Sequence, residues 1–375
     1  MLQSIERGKH TIAHAAPLCT IAGAVFIANA PLAAQAAAYH VAATGNDGNP
    51  GTADAPWQTL TTSANKLKPG DILYLHAGIY AQTLNENASG TASAPITIMA
   101  PPGELPVIDG TGVTLHDSWA PLCSVSGDYV TLSGLEVRHS SGVGMVLSGR
   151  HDVAKGINMH HTWDSGIALM GDYCTAIENR VWQTNLRNAA KPGSPAGGSW
   201  GSALHAVNPK AGGAVGVVIR NNIVFNNWGE GLNVWKADNA TVEGNVAYDN
   251  WAVDLYLSNL THSTIKENLI YEAGSMPTRK NGLLFAQGDS PYGAIASHDN
   301  VIINNLLYQA SMKIFTWFPS GITNVSLKNT VIAHNTIVGG ELRIGGNAPH
   351  YGSQVRNNIA DNGSANSSAG IIFSH

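Results

Sequence analysis

His205, Glu230, Asp254, Tyr256 and Lys280 are side chains of this 375-residue chain whose types could move protons on a bound substrate. Two chemistries fit the set. β-Elimination on a uronic acid needs a cation or metal to neutralise the carboxylate, a base for the C5 proton and an acid for the leaving oxygen. His205, Tyr256, Lys280 and Arg343 could fill those roles, and Glu230 with Asp254 could hold Ca²⁺ through oxygen ligands. Glycoside hydrolysis needs two carboxyl groups instead, and Glu230 and Asp254 would be the pair, roughly 5–9 Å apart. Asn233, Trp235 and Lys236 are candidates for substrate contact, Trp235 as an indole on which a sugar face could stack.

These residues are scattered along the chain, so something must gather them. Asn222, Phe225, Asn227, Trp228 and Leu232 recur as Asn245, Tyr248, Asn250, Trp251 and Leu255, each 23 residues on. A repeat of that length, made of short alternating strands and Asn/Gly turns, is one coil of a parallel β-helix. One turn position is occupied in succession by Gly110, Gly134, Gly156, Asn179, Asn222, Asn245, Asn268, Asn305, Asn335 and Asn358, which gives about ten coils. Gly and Asn tolerate a left-handed bend, and stacked Asn amides can form a ladder. Three residues further on come Val137, Met159, Trp182, Phe225, Tyr248, Tyr271, Tyr308 and Val338, which read as a core stack.

A second tryptophan series, Trp163, Trp200, Trp228 and Trp251, precedes strands in which Ile167, Leu204, Leu232 and Leu255 should point inward. Alternation then turns two rows outward. One row is Gly166, Ala203, Gly231, Asp254, Gly282, Lys313 and Glu341; the other is Ala168, His205, Asn233, Tyr256, Leu284, Phe315 and Arg343, with the register near Lys313 open by one residue. The insertions 186–199 and 272–280 both enter the turn before this strand and would wall its outer face, where binding loops belong. His160 and His161 are adjacent in a strand, which should send them to opposite faces and rules against a metal pair.

Composition suits a solenoid: 41 Gly, 12% charged residues and no basic run. Residues 1–36 read as a secretory signal, with Arg7, Lys9 and His10 before an apolar stretch and Ala34-Gln35-Ala36 as a cleavage site. Losing Glu6, Arg7 and Lys9, a net +1, moves the formal charge from −5 to −6. An acidic mature chain has no electrostatic reason to bind nucleic acid, and the apolar run, broken by Asn29 and Pro31, is too short to span a membrane. Cys19 leaves with the signal; Cys123 and Cys174 fall about two coils apart, too far for a disulfide.

From Tyr39 onward the segments DGNPGT, PWQTL, KPGDILYLHAGIY, SAPITIMA and VIDG follow one another. In that order they resemble the N-terminal portion of secreted right-handed parallel β-helix proteins of the pectate-lyase-like superfamily. The resemblance implies a single all-β solenoid over residues 37–375, with a helical cap within about 39–70 in which Trp57, Leu60, Ala64 and Leu67 share one face. It also implies the activity class of that group, which includes polysaccharide lyases. The expectation is a secreted, periplasmic or surface-held monomer whose partner is an acidic polysaccharide, cleaved by β-elimination. Hydrolysis and non-catalytic glycan binding are the alternatives. Neither the clustered aspartates of calcium-dependent pectate lyases nor the Asp-Asp, His-Gly and Arg-x-Lys signatures of polygalacturonase-type hydrolases occur. Arg279-Lys280 resembles a basic pair of alginate-type lyases only superficially.

Overall fold

Almost every coil of the chain contributes one short strand to each of three parallel sheets, of 13, 11 and 12 strands. In the computed structural model the described residues are 36–189, 201–208, 213–278, 281–287, 297–316, 327–346, 350–361, 365–367 and 373–374. Most of the expected signal segment, Trp200, Arg279 and Lys280 lie outside them. A representative coil runs Val218–Arg220 in the 13-stranded sheet, Ile223–Phe225 in the 11-stranded sheet and Glu230–Asp238 in the 12-stranded sheet. The next coil repeats this at Thr241–Glu243, Val246–Tyr248 and Leu255–Thr261, with Leu232 directly opposite Leu255 and Phe225 opposite Tyr248. The architecture is a right-handed parallel β-helix.

The core is a column of inward residues from all three sheets. Ile167, Leu204, Leu232 and Leu255 stack in register and are fully buried, as alternation requires. The helix at the N-terminal end is only Leu60–Ala64, yet Trp57, Leu60, Ala64 and Leu67 are all buried under it. Cys123, in a strand of the 12-stranded sheet, and Cys174, just before a strand of the 13-stranded sheet, are free, buried thiols.

Two expectations about side-chain direction are corrected by the register. The left-handed residue of the ladder turn is one position earlier than the asparagine: Gly156, Glu178, Asn221, Gly244, Glu267, Asn304, His334 and Asn357 have positive φ. Counting across from Gly156 to Asn179 therefore slips by one residue, which in a strand exchanges inside for outside. Met159 pairs with Val181, and Val224, Ala247, Ile270 and Leu307 continue the core column. Trp182, Phe225, Tyr248 and Tyr271 instead stack on the outer face of the 11-stranded sheet, with ring centroids 6.2, 4.9 and 4.6 Å apart. The second correction is at His160 and His161. The strand ends at His160 and His161 is left-handed (φ 53°), so the two Nδ1 atoms come within 2.8 Å rather than facing apart.

Candidate functional site

The central row on the outer face of the 12-stranded sheet is continuous. His205 lies opposite Asn233, Asn233 opposite Tyr256, Tyr256 opposite Leu284, Leu284 opposite Lys313 and Lys313 opposite Arg343. With parallel strands about 4.8 Å apart, His205 and Tyr256 flank Asn233 across about 10 Å of backbone. Lys313 belongs to this row and displaces Phe315, which pairs with Ala286 and Gly345 instead. The Lys313 ammonium donates to Asn281 Oδ1 at 2.9 Å, and the Arg343 guanidinium lies 5.9 Å from the Phe315 ring centroid.

Glu230 begins its strand beside this row. Its Oε2 accepts hydrogen bonds from the Ser202 hydroxyl at 2.8 Å and from the Asn233 amide. The carboxyl is 5% exposed, and burial pushes its pKa to about 7 against the two hydrogen bonds that favour the charged form. Burial also lowers the His205 pKa, partly opposed by the Ser202 carbonyl and the Asp164 charge, so the imidazole is held neutral. For Tyr256, burial and then the nearby Glu230 raise the phenol pKa, with a Ser258 hydrogen bond opposing. The three groups therefore stand ready as a neutral base, a protonated phenol and a carboxyl that changes charge near neutrality.

Ser202, Asp164 and Arg187 also belong to this neighbourhood and are not singled out by the repeat. Arg187 Nη2 lies 2.9 Å from Asp164 Oδ2, and Asp164 is fully buried. The guanidinium sits 4.7 Å from the Trp119 ring centroid. Arg187 comes from the short helix Leu186–Ala189 at the start of the first insertion. Its signal in sequence was a basic residue in a loop already assigned to the groove wall. Asp164 carried no such signal, because Asp before a strand is ordinary turn chemistry.

The second insertion is anchored by a residue that the repeat hides. Asp249 accepts from the backbone amides of Ala273, Gly274 and Ser275 at 2.8–3.0 Å and from the Ser275 hydroxyl. Burial would raise its pKa, but these hydrogen bonds prevail and hold it below the usual carboxylate range. Met276, in the same insertion, packs with Trp228, Tyr256 and Leu284 against buried Trp251, Ala252 and Val253. Tyr256 thus has an apolar wall on one side and Glu230 on the other.

Asp254 does not lie where strand alternation sends it, and Lys236 is not available as a substrate contact. Asp254 is fully buried; its Oδ1 accepts from the Asn250 side chain at 2.9 Å and from the Asn250 backbone amide at 3.0 Å. The reason is a second ladder. Thr184 donates to Asn227 Oδ1, and Asn227 donates to Asn250 Oδ1. The equivalent position on the following coil is Ala273, at the base of the insertion, so no asparagine arrives and Asp254 supplies the missing acceptor from its own coil. Burial, then the Glu272 charge, raises the Asp254 pKa well above the carboxylate range. Lys236 is left-handed (φ 55°) and fully buried at the bend of its strand, whereas Trp235 is half-buried beside Val207 and Ser258. Glu230 and Asp254 therefore do not present two open carboxylates to one Ca²⁺ ion.

A family model described as Pel9A-like right-handed β-helix region matches residues 39–268, and a second, described as right-handed β-helix region, matches 210–337. The chain belongs to the Pel9A-like right-handed β-helix family. Pectate lyase PEL9 of Emericella nidulans is 28% identical over 227 residues, covering 57% of this chain and 53% of that protein. Pectate lyase L of Dickeya chrysanthemi is 25% identical over 227 residues, 52% of each chain. This member of the Pel9A-like family thus spans about half the length of those relatives. Among solved structures, the A-module of the Azotobacter vinelandii mannuronan C-5 epimerase AlgE4 superposes with a TM-score of 0.56 at 14% identity, covering 90% of this chain and 89% of that one. A rhamnogalacturonan lyase gives 0.55 at 14% identity, covering 87% of each. Identities that low speak for the shared fold alone.

Proposed function

We propose that the chain is an exported polysaccharide lyase that cleaves a uronic-acid polymer by β-elimination along the outer face of the 12-stranded sheet. The observation that carries this reading is the register of His205, Asn233 and Tyr256 on three adjacent strands. A neutral imidazole can take the C5 proton, a protonated phenol can give one to the departing oxygen, and Asn233 between them can hydrogen-bond the uronate. Lys313 and Arg343 extend the row and meet carboxylates of neighbouring sugars. The pectate lyases among the relatives support the same class of reaction. Of the candidates named from sequence, Trp235 flanks the row. Among the described residues no helix is long and apolar enough to cross a membrane, and export rests on the signal-like residues 1–36, to be tested by sequencing the N-terminus of material recovered outside the cell.

The decisive assay incubates the protein with a panel of uronic-acid polysaccharides and follows the ultraviolet absorbance of the unsaturated product. His205→Ala and Tyr256→Phe should each lower kcat by roughly 10²–10⁴-fold, with unchanged thermal melting. Glu230, neutral below about 7 and charged above it, should repel the substrate carboxylate as pH rises. KM should therefore increase above that pH in the wild type, and Glu230→Gln should flatten the rise. New reducing ends without absorbance would make the chain a hydrolase, and silence on every substrate would leave a glycan-binding solenoid.

A further inference from the structure

On the turn that leads from the 12-stranded to the 13-stranded sheet, His262, His298 and Asp299 bring one ligand atom each to within 4.8 Å of one another. We propose that these three side chains form a binding site for one divalent transition-metal ion, with Zn²⁺ the best fit, that clips two neighbouring coils together outside the groove. The two histidines are 36 residues apart in sequence, so no ligand motif announces them. They meet because His298 pairs with Thr261, the residue before His262, and the His262 amide bonds to the His298 carbonyl at 3.1 Å. His262 and Asp299 occupy the left-handed position of their turns, φ 49° and 55°, which aims both side chains to the same outer edge.

The distances are close to those a metal would impose. Two ligands at about 2.0–2.1 Å in tetrahedral geometry stand about 3.3 Å apart. Without the ion His298 Nδ1 donates a hydrogen bond to Asp299 Oδ2 at 2.7 Å, and His262 Nε2 lies 3.8 Å from the same oxygen; the ion would take the place of the bridging proton, with each edge shifting by about half an ångström. With His298 protonated on Nε2, its Nδ1 and Asp299 Oδ2 both present lone pairs to the ion. Two imidazoles and one carboxylate suit Zn²⁺ and its first-row neighbours rather than Ca²⁺ or Mg²⁺, which prefer oxygen ligands throughout.

Supporting residues point the same way. Asp238, one coil below, receives the His262 Nδ1 proton at 2.7 Å, which fixes the tautomer that leaves Nε2 free. Thr261 Oγ1 holds the same carboxylate oxygen at 2.7 Å. Asn329, one coil above, donates to Asp299 Oδ1 at 3.1 Å and leaves Oδ2 for the ion. A carboxylate behind a ligating histidine, together with a tethered ligating carboxylate, is the arrangement that tunes metal sites. All the ligand side chains are 35–56% exposed, so an ion can enter and a water can complete the coordination. His262 follows the strand that carries Tyr256 and lies six residues beyond it, about 20 Å along the strand direction, so the ion would stabilise coils rather than touch substrate at the central row.

The test uses the full chain stripped with chelator, desalted and titrated with Zn²⁺ alone by calorimetry, alongside thermal melting. The expected result is one equivalent bound and a rise in Tm at saturating metal. His262→Asn and Asp299→Asn, which keep a residue tolerant of the left-handed turn, should weaken binding at least tenfold while melting normally without metal. Asp238→Asn should weaken it about 10–100-fold with unchanged stoichiometry. Absence of a bound equivalent in the wild type, or equal affinity in wild type and His262→Asn, would overturn the site; the second result would send the ion to another surface histidine.

Discussion

Two ladders of side-chain amides run up this solenoid, and they end differently. The long one joins Asn179, Asn222, Asn245, Asn268, Asn305, Asn335 and Asn358 through amide-to-amide bonds of 2.8–2.9 Å. Each amide also bonds a carbonyl of its surroundings, as Asn245 does to Ile219 at 2.9 Å. It carries no charge and lies far from the groove. The short ladder runs Thr184, Asn227, Asn250 and stops at Asp254, where an insertion removes the next asparagine. Repetition alone makes scaffold. Where the repeat is broken to build a groove wall, a carboxyl takes over a structural bond and a titrating group enters the interior.

The largest effect should come from breaking the long ladder. Asn245→Ala would strand the Asn222 amide, the Ile219 carbonyl and the Asn245-to-Asn268 bond at once, all buried. At about 1–3 kcal/mol for each orphaned group, the loss should be roughly 3–5 kcal/mol, read from the urea midpoint. A loss below about 1 kcal/mol would mean that ladder bonds are replaced by water and that the comparison has no energetic content.

Next in size is Gly231→Ala, which probes the short ladder without touching a hydrogen-bonding group. A Cβ at Gly231 would lie 2.5 Å from Asn250 Nδ2 and 2.6 Å from the Asp254 carbonyl oxygen. One of those must move, costing about 1–3 kcal/mol. The displacement should also reach Tyr256, two residues beyond Asp254, so the proposed lyase activity should fall by more than the melting temperature alone accounts for. Equal activity per folded molecule would show that the short ladder does not position the groove row.

How far the sequence reveals this molecule follows from the same contrast. The 23-residue repeat makes the coil, the ladder and the inward Leu232–Leu255 pair legible, because regular positions repeat their physics. The outer aromatic stack looks like core in the sequence, because the left-handed turn residue precedes the ladder asparagine and a single slip in counting exchanges the faces of a strand. In the groove, His205, Asn233 and Tyr256 were readable as an outward row from alternation alone. Asp254 was not, because its direction depends on Ala273 lacking an amide one coil away. Neither was His262 with His298, whose meeting depends on how an insertion re-enters the stack. Mismatches between coils mark where to look, but only the register says which of them face out.

The smallest and most discriminating change is Asp254→Asn. Asparagine keeps the Oδ1 that Asn250 needs, so below the unfolded carboxylate pKa of about 3.9 the two proteins should differ by less than about 1 kcal/mol. Burial and Glu272 raise the folded pKa of Asp254 above its unfolded value, so the folded state binds the extra proton. The stability this group contributes is therefore complete below the unfolded carboxylate pKa and is lost as pH rises through the folded one. Asp254→Asn removes that titration. Its urea midpoint should approach that of the wild type only below the unfolded carboxylate pKa of about 3.9, and should exceed it increasingly up to pH 8. If the variant is instead the weaker protein at pH 8, Asp254 is ionised and paired with a cation in the fold, and the short ladder ends in a charge rather than in a protonated acid.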